Sequence, residues 1–190
     1  MTSPLLDPSQ PLTRAAVRNA AVGLLDTLLP ELGGRILRAR AWPVQPETFP
    51  CALLYAMQER RTTVSPAGAP PDQDVELTLA VHLRVEASGP AGGSDEELVE
   101  AQLDALAARA QQALTQPSEW LACFSRIGDV TYAAEVKPGG DRMAGEAVIT
   151  VALHWQELYQ PPTYPLLRGF TATISDPGTN AAVTINETLS

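Results

Sequence analysis

The sequence predicts an α+β protein. We expect an antiparallel (mixed) β-sheet of about four to five strands, with two main helices packed on one face and a C-terminal β-hairpin extension. From Val75 to Val85 a Val or Leu stands at every second position, alternating with Glu76, Thr78, Ala80, His82, Arg84 and Glu86, which is the period of a strand with one buried face. Two segments, beginning near Thr13 and Ser94, repeat apolar residues at helical spacing instead. The resulting order, α-β-β-β-α-β-β, favours helices packed on the apolar face of the sheet.

Both helices have recognisable ends. Thr13 can cap the first, which runs to about Leu29. Ser94 starts the second with a capping box that Glu97 completes, and Pro117 ends it. The predicted buried stripe of the first helix is Val17, Ala20, Ala21, Leu24, Leu25 and Leu28. That of the second is Val99, Leu103, Leu106, Ala110 and Leu114.

Five segments of the main body are predicted strands. They are 35–42, 51–64, 75–86, 127–138 and 145–159. The second is apolar at its start and polar at its end, so we expect it to be buried first and solvated later. Segments rich in proline or glycine at 65–74, 89–93 and 139–141 are predicted loops or turns.

The chain divides near residue 160. Residues 1–160 form the α+β domain, and residues 161–190 form an extension that Pro161, Pro162 and Pro165 separate from it. Two short predicted strands, 170–174 and 182–188, flank a turn sequence and predict a hairpin. Because a lone hairpin is marginally stable in water, we expect it to lean on its own domain or on a neighbouring subunit.

Charge narrows the classes of partner. Asp and Glu number 22 against 13 Lys and Arg, so the chain of 190 residues carries a formal charge of −9. Such a surface repels phosphates, and sequence-independent clamping of nucleic acid is not expected. No run of 18 apolar residues and no basic-then-apolar leader is present, so we expect no membrane partner and no secretion signal. Cys51 and Cys123 are expected to be free, buried thiols, with a disulfide as the alternative.

No nucleotide, hydrolase or metalloprotease motif occurs, and we predict no catalytic, cofactor-binding or metal residue and no cofactor. The two histidines, His82 and His154, fall on the polar faces of predicted strands, where antiparallel pairing could bring them together. A metal site would need more ligands, for which residue type alone offers Glu76, Glu86 and Glu157. Exposed or interface histidines are the favoured interpretation. Trp42, Trp120 and Trp155 are expected as core or interface anchors.

The cluster Glu59-Arg60-Arg61 allows two interpretations. It could bind an anion, but a solvated strand end or a rim of ion pairs is favoured. The glycine-rich segment at 89–94 precedes a helix, yet the three acids that follow it would repel a phosphate.

The order of elements resembles that of the phage tail terminator or tail completion family, of the lambdoid minor tail protein U type. The resemblance covers roughly residues 10 to 160. It is carried by RILRARAWPVQPETFPCALLYAMQER, in which Trp42-Pro43 and Phe49-Pro50 bracket a loop, and by VELTLAVHLRVEA, DEELVEAQLDALAARAQQAL and a last strand ending in HWQELY. The hairpin after Pro161 departs from the short members of the family.

The resemblance implies a structural virion protein rather than an enzyme. Family members form a hexameric ring at the head-proximal end of the tail tube, stop tube polymerisation and join the tail to the head connector. The implied partners are other copies of the chain, the tail tube protein, head–tail connector or neck proteins and, in a contractile tail, the sheath. Genome DNA would pass through an acidic lumen without specific binding. The implied location is the virion tail or neck, after assembly in the host cytoplasm.

A closed ring needs two different patches per subunit. The exposed strand face and the hairpin could supply them, the hairpin by adding a strand to a neighbour's sheet. The predicted interface residues are Arg60, Arg61, His82, Arg84, His154, Gln156, Phe170, Thr171, Thr173, Ile174, Val183 and Ile185. Two alternatives stay open: another head–tail connector or neck protein, and a small cytosolic α+β enzyme or ligand-binding domain, which would show a concave pocket.

Overall fold

A computed structural model describes residues 6, 11–38, 49–64, 71–88, 94–138, 142–159, 169–175 and 182–188. The chain separates into two compact units, Met1–Tyr159 and Gln160–Ser190. The first contains helices α1 (Arg14–Leu28), α2 (Ser94–Thr115) and α3 (Ser118–Leu121), together with a 3-10 turn at Pro30–Leu32. Its strands are β1 (Ile36–Arg38), β2 (Cys51–Thr63), β3 (Gln73–Ser88), β4 (Arg126–Pro138) and β5 (Arg142–Glu157). The second holds β6 (Gly169–Ser175) and β7 (Ala182–Thr188).

The first unit is built on a mixed five-stranded sheet, ordered β1-β2-β3-β5-β4. Only β1 and β2 run parallel, and the other pairs are antiparallel. The predicted α+β class with two main helices on one face of the sheet is confirmed, since α1 and α2 share one apolar core with the inward residues of the strands. Gly33, at φ 55°, and Gly34, at φ 75°, turn the chain from α1 towards β1 in a conformation that favours glycine.

The core joins the helices to alternate residues of the two central strands. The side chains of β3 that face inward are Val75, Leu77, Leu79, Val81, Leu83 and Val85, and those of β5 are Ala147, Ile149, Val151, Leu153 and Trp155. The predicted stripe of α2 is buried at every position. Trp120, in α3, is fully buried and its Nε1 donates to the carbonyl of Leu114 at 2.8 Å.

The predicted stripe of α1 needs one correction. Thr13 caps the helix, its hydroxyl accepting from the Ala16 amide at 3.1 Å. Leu28, however, is 40% exposed, whereas Val22 and Leu29 are buried. The buried face is therefore rotated slightly from the predicted one, and Leu29, just past the last helical residue, takes the inward place.

Strand ends also differ from the predicted ones. The first predicted strand, 35–42, is described only as the short β1, because residues 39–48, including Trp42, lie outside the described residues. Gln73 and Asp74 belong to β3 rather than to a loop, because Glu157 and Gln156 of β5 offer them partners. The burial of β2 falls along its length as expected. The side chain of Ser94, and so its capping box, lies outside the described residues.

The second unit is an antiparallel hairpin. Each strand has seven residues, and the pairing runs from Gly169 opposite Thr188 to Ser175 opposite Ala182. The side chains of both strands lie outside the part of the chain that the structure describes.

Candidate subunit-interaction surface

The face of the sheet opposite α1 and α2, here called the outer face, carries most of the predicted interface residues of the first unit. Successive side chains of a strand point to opposite faces, so the buried inward residues place His82, Arg84, His154 and Gln156 outward. Near β1, the outer face has an apolar cluster of its own, with Cys51 and Leu53 buried against Leu37, Phe49 and Tyr55. No helix residue of the described chain belongs to that cluster.

A charged cluster lies on the outer face beside these apolar residues. Arg84 is opposite Glu146 in the pairing of β3 with β5, and its Nη2 donates to Glu146 Oε2 at 3.0 Å. The other carboxylate oxygen lies 3.3 Å from His82 Nδ1. The Tyr55 ring meets the His82 ring edge-on, with centroids 5.2 Å apart. One carboxylate therefore orients two side chains on the neighbouring strand.

Arg84 is only 5% exposed. Burial lowers the pKa of its guanidinium, and the negative charge of Glu146 opposes that shift. A buried guanidinium that donates to a carboxylate keeps a fixed geometry, because separating the two groups would weaken the compensation of a buried charge.

The two histidines do not meet, and the expectation that strand pairing could bring them together is wrong. His82 lies opposite Val148, whereas His154 lies opposite Glu76. Six positions of β5 separate the two pairings, which is roughly 20 Å along a strand. The hydrophobic pattern on the inward face sets this register, because a shift would expose the core residues.

His154 belongs to a different local environment at the other end of β5. His154 lies opposite Arg126 of β4. Arg126 Nη2 is 3.3 Å from each of the two ring nitrogens of His154. Gly128 follows in an irregular part of β4, and a Cβ there would lie 2.6 Å from His154 Nε2. The absence of a side chain at Gly128 thus makes room for the imidazole. Gln156 is exposed next to this end, opposite Asp74.

Arg60 and Arg61 point to opposite faces of β2. Arg60 lies opposite Glu76 on the outer face, and Arg61 lies opposite Val75 on the helix side. Arg61 makes ion pairs with Glu59 and Glu157, each at 2.6 Å, and these carboxylates raise the pKa of its guanidinium. The favoured interpretation, a solvated strand end or a rim of ion pairs, is confirmed for Glu59 and Arg61.

Beside this rim, the helix side of the sheet has an open cleft of about 560 Å³ at the start of α1. Glu59 forms an ion pair with Arg14 at 3.3 Å as well as with Arg61, so two guanidinium groups share its charge within the cleft. The lining residues are Thr13, Arg14, Ala15, Arg18, Ala56, Glu59 and Arg61.

The predicted hairpin residues occupy β6 and β7. Thr171 and Thr173 lie opposite Asn186 and Thr184, and Ile174 lies opposite Val183. Phe170 and Ile185 lie opposite Glu187 and Ala172. Because their side chains lie outside the described part of the structure, their role at an interface stays a prediction.

Sequence reasoning missed the residues that organise the outer face. Glu146, Tyr55 and Arg126 are placed by strand pairing with residues 20 or more positions away, and no local pattern marks them. Tyr132 was also missed: its hydroxyl donates to Asp104 Oδ1 of α2 at 2.6 Å. Burial and this carboxylate raise the pKa of Tyr132 to about 12.

Neither Cys51 nor Cys123 forms a disulfide, so the disulfide alternative is wrong. Cys51 is buried as expected, whereas Cys123 is only partly buried, and burial raises the pKa of the Cys123 thiol. Within the described ranges, no three His, Cys, Asp or Glu side chains are grouped so as to hold a metal ion. No helix in those ranges combines the length and the apolar character needed to cross a membrane.

Comparison with known proteins leaves the family of this chain open. No protein-family model matches the chain, and no curated protein does. Among solved structures, the chain is similar to one from the "Virion of native gene transfer agent (GTA) particle", with 17% identity and a TM-score of 0.37, over 71% of this chain and 92% of the other. A likeness of this size identifies neither a family nor a function.

Proposed function

We propose that this chain is a structural protein of a phage-like virion that forms a hexameric ring at the head-proximal end of a tail tube. In this role it stops tube polymerisation and joins the tail to the head connector. The proposal rests on the resemblance of residues 10 to 160 to tail terminators, together with the arrangement of the sheet. Its site of action is the virion tail or neck, after assembly in the host cytoplasm.

The observation that carries the proposal is that the two faces of the sheet differ: the helices cover one face, and oriented polar side chains occupy the other. The helix side contains the core, so it is already used for folding. The outer face holds the buried Arg84, fixed by Glu146, next to the half-buried ring of His82. Rigid, oriented side chains reduce the entropy that is lost when two proteins associate, which suits a subunit contact.

Charge supports the same role. With a formal charge of −9, a ring of six copies would carry a strongly negative surface. Phosphates near such a surface are repelled, so DNA could pass through the ring without binding to it. The partners of the ring are the tail tube protein on one side and connector or neck proteins on the other, with the sheath added in a contractile tail.

The mass of the purified protein in solution tests the proposal. We expect a hexamer by light scattering at high protein concentration, or a monomer that becomes a ring when tail tube protein is added. Negative-stain electron microscopy should then show a ring on one end of each tube. A strict monomer that ignores tube protein would overturn the proposal.

The length of assembled tubes provides a second test, in which a double variant probes the outer-face cluster. Tube protein assembled with the wild-type chain should give shorter, capped tubes than tube protein alone. The double variant Arg84→Met, Glu146→Leu keeps the volume of the outer-face cluster but removes its charges, so the fold is retained while the contact surface changes. If this variant caps tubes as well as the wild type, the outer-face cluster is not the contact.

A further inference from the structure

Strand β4 is an open edge of the sheet. In the order β1-β2-β3-β5-β4 it has β5 as its one neighbour among the described strands. Every residue from Asp129 to Glu135 is exposed, with Val130 at 40% and Tyr132 at 41%. An edge of this kind presents unpaired main-chain N–H and C=O groups and can accept another strand.

The middle of β4 lacks the features that usually protect an edge. Val130 to Ala134 read Val-Thr-Tyr-Ala-Ala, with no charge, no proline and continuous register with β5. The protective features lie at the two ends instead. A register shift separates Ile127 from Val130, and beyond Ala134 come the Glu135–Lys137 ion pair, at 2.7 Å, and Pro138. These features frame an acceptor segment of a few residues.

The opposite edge of the sheet, formed by β1 and β2, differs from the β4 edge in having protective features. β1 pairs only with Ala52 to Leu54 of β2. Beyond that point β2 has a register shift between Ala56 and Gln58 and then the charged run Glu59-Arg60-Arg61. Charges and bulges of this kind prevent strand addition. Of the two described edges, β4 is therefore the one suited to accept a strand.

The C-terminal unit offers a strand of matching character. β6 reads GFTATIS, has seven residues and carries no charge. It pairs with β7 alone among the described strands, so its other edge is also available for pairing. A two-stranded hairpin is marginal by itself, and a third strand makes such a unit stable.

We propose that β6 of one copy adds to the Val130–Ala134 segment of β4 in the next copy. This rests on the self-association in the proposed function and names the strands that meet. Because β4 and the hairpin are two different patches, the contact is heterologous and repeats from copy to copy, as a ring requires. Main-chain hydrogen bonds supply the affinity, as in other cases of strand addition.

A second copy, rather than the same chain, is the proposed occupant of the edge. Pairing of β6 with β4 of its own chain would cover that edge and end the assembly, whereas pairing with the next copy repeats from subunit to subunit. Nine residues, 160–168, stand between Tyr159 and β6 in the sequence and include Pro161, Pro162 and Pro165.

Two successive alanines of β4 provide a matched pair of variants for the test. N–H groups of successive residues point alternately towards β5 and towards the open edge, so Ala133→Pro and Ala134→Pro remove one of each kind. A proline that removes an N–H facing β5 breaks a hydrogen bond of the sheet and lowers the unfolding temperature. The variant that keeps the wild-type unfolding temperature is therefore the one that has lost an N–H at the open edge. We expect it to need about ten-fold or more protein to reach the same oligomeric mass in light scattering.

The outcomes separate the two proposals. If the wild type forms a ring and the edge-blocked variant forms it at the same concentration, strand addition to β4 is overturned while the ring stands. A wild type that stays monomeric, with and without tube protein, overturns both. If both proline variants unfold at lower temperature, Thr173→Pro in β6 replaces them, with Thr173→Ser as its control, and must weaken association to the same extent.

Cross-linking identifies the occupant of the edge. Chains with Thr131→Cys and chains with Thr173→Cys, one of them carrying a size tag, are mixed and treated with a short bis-maleimide. Products that join tagged to untagged chains are expected, and the wild type, with native Cys51 and Cys123, is the control. If a single chain carrying both substitutions cross-links only within itself, its own hairpin occupies the edge and the proposal is wrong.

Discussion

Arg84 of β3 and Glu146 of β5 face each other across the central strand pair, and the guanidinium donates to the carboxylate at 3.0 Å on the face of the sheet that the helices leave open. The side chain of Arg84 is 6% exposed and that of Glu146 is 34% exposed. The ion pair is thus anchored on its buried cationic side. It links the stability of the central strands to the surface proposed for subunit contact.

Replacing Glu146 by Gln should destabilise the fold. The substitution keeps the volume but removes the negative charge of a carboxylate that accepts from the buried guanidinium, and we expect a loss of about 2 kcal/mol in the free energy of unfolding. Urea denaturation measures it. Glu135→Gln is the matched control, because Glu135 lies opposite Glu146 yet its side chain is 66% exposed. The control should stay within about 0.5 kcal/mol of the wild type, and equal effects of the two changes would contradict the prediction.

Two glycine-to-alanine substitutions should change the stability of the fold in opposite directions. At Gly145, a Cβ would lie 2.5 Å from Val99 Cγ1 and 2.6 Å from Leu103 Cδ1, where α2 packs on β5. Overpacking of a core costs about 1–3 kcal/mol. At Gly23, in α1, nothing lies within 4 Å of the new Cβ, and alanine should stabilise the helix by about 0.5–1 kcal/mol. Thermal unfolding of both variants checks the contrast, which fails if Gly145→Ala unfolds at or above the wild-type temperature.

Trp120 and Trp155 should respond unequally to replacement by Phe. Trp120 Nε1 donates to Leu114, whereas Trp155 Nε1 is buried and has no hydrogen-bond partner among the described residues. Both changes remove similar apolar volume, but only Trp120→Phe leaves a carbonyl without its donor. We expect it to cost about 1 kcal/mol more than Trp155→Phe in urea denaturation. A larger loss at Trp155 would show that the hydrogen bond is not the deciding difference.

Alkaline pH should reveal the contact between β4 and α2. Burial and the Asp104 carboxylate raise the pKa of Tyr132 to about 12, from 10.0 for an ordinary tyrosine. Since the folded pKa is the higher one, the stability linked to this proton is fully present below about pH 10 and is lost as the pH rises towards about 12. Tyr132→Phe should therefore lose less stability than the wild type over that range.

Tyrosinate absorbance checks the assignment directly. Tyr132→Phe should remove the part of the absorbance that develops near pH 12. Asp104→Asn should shift that part to lower pH, because the negative charge of Asp104 opposes ionisation of the phenol. Asp129→Asn, an exposed change on the same strand, is the control and should leave the titration as in the wild type. An unchanged titration in Asp104→Asn would exclude the carboxylate as a cause.

Local patterns predicted the main helices and strands and most of their buried faces. The alternation from Val75 to Glu86 predicted both the strand β3 and the side chains that enter the core, and the helical spacing from Val99 to Leu114 predicted the buried stripe of α2. These periods arise within a few residues of the chain, so they can be recognised without tertiary structure. The predicted hairpin is likewise present in the backbone of residues 169–175 and 182–188.

The partners across the sheet depended on the tertiary structure. Arg84 and Glu146 are 62 positions apart, and only the register of β3 with β5 makes them neighbours while holding His82 and His154 apart. The edge position of β4 and the close approach of α2 to Gly145 follow from the order of strands in the sheet. Periodicity indicates which face a side chain occupies, but its neighbour on that face comes from a distant part of the chain and is chosen by the packing of the whole core.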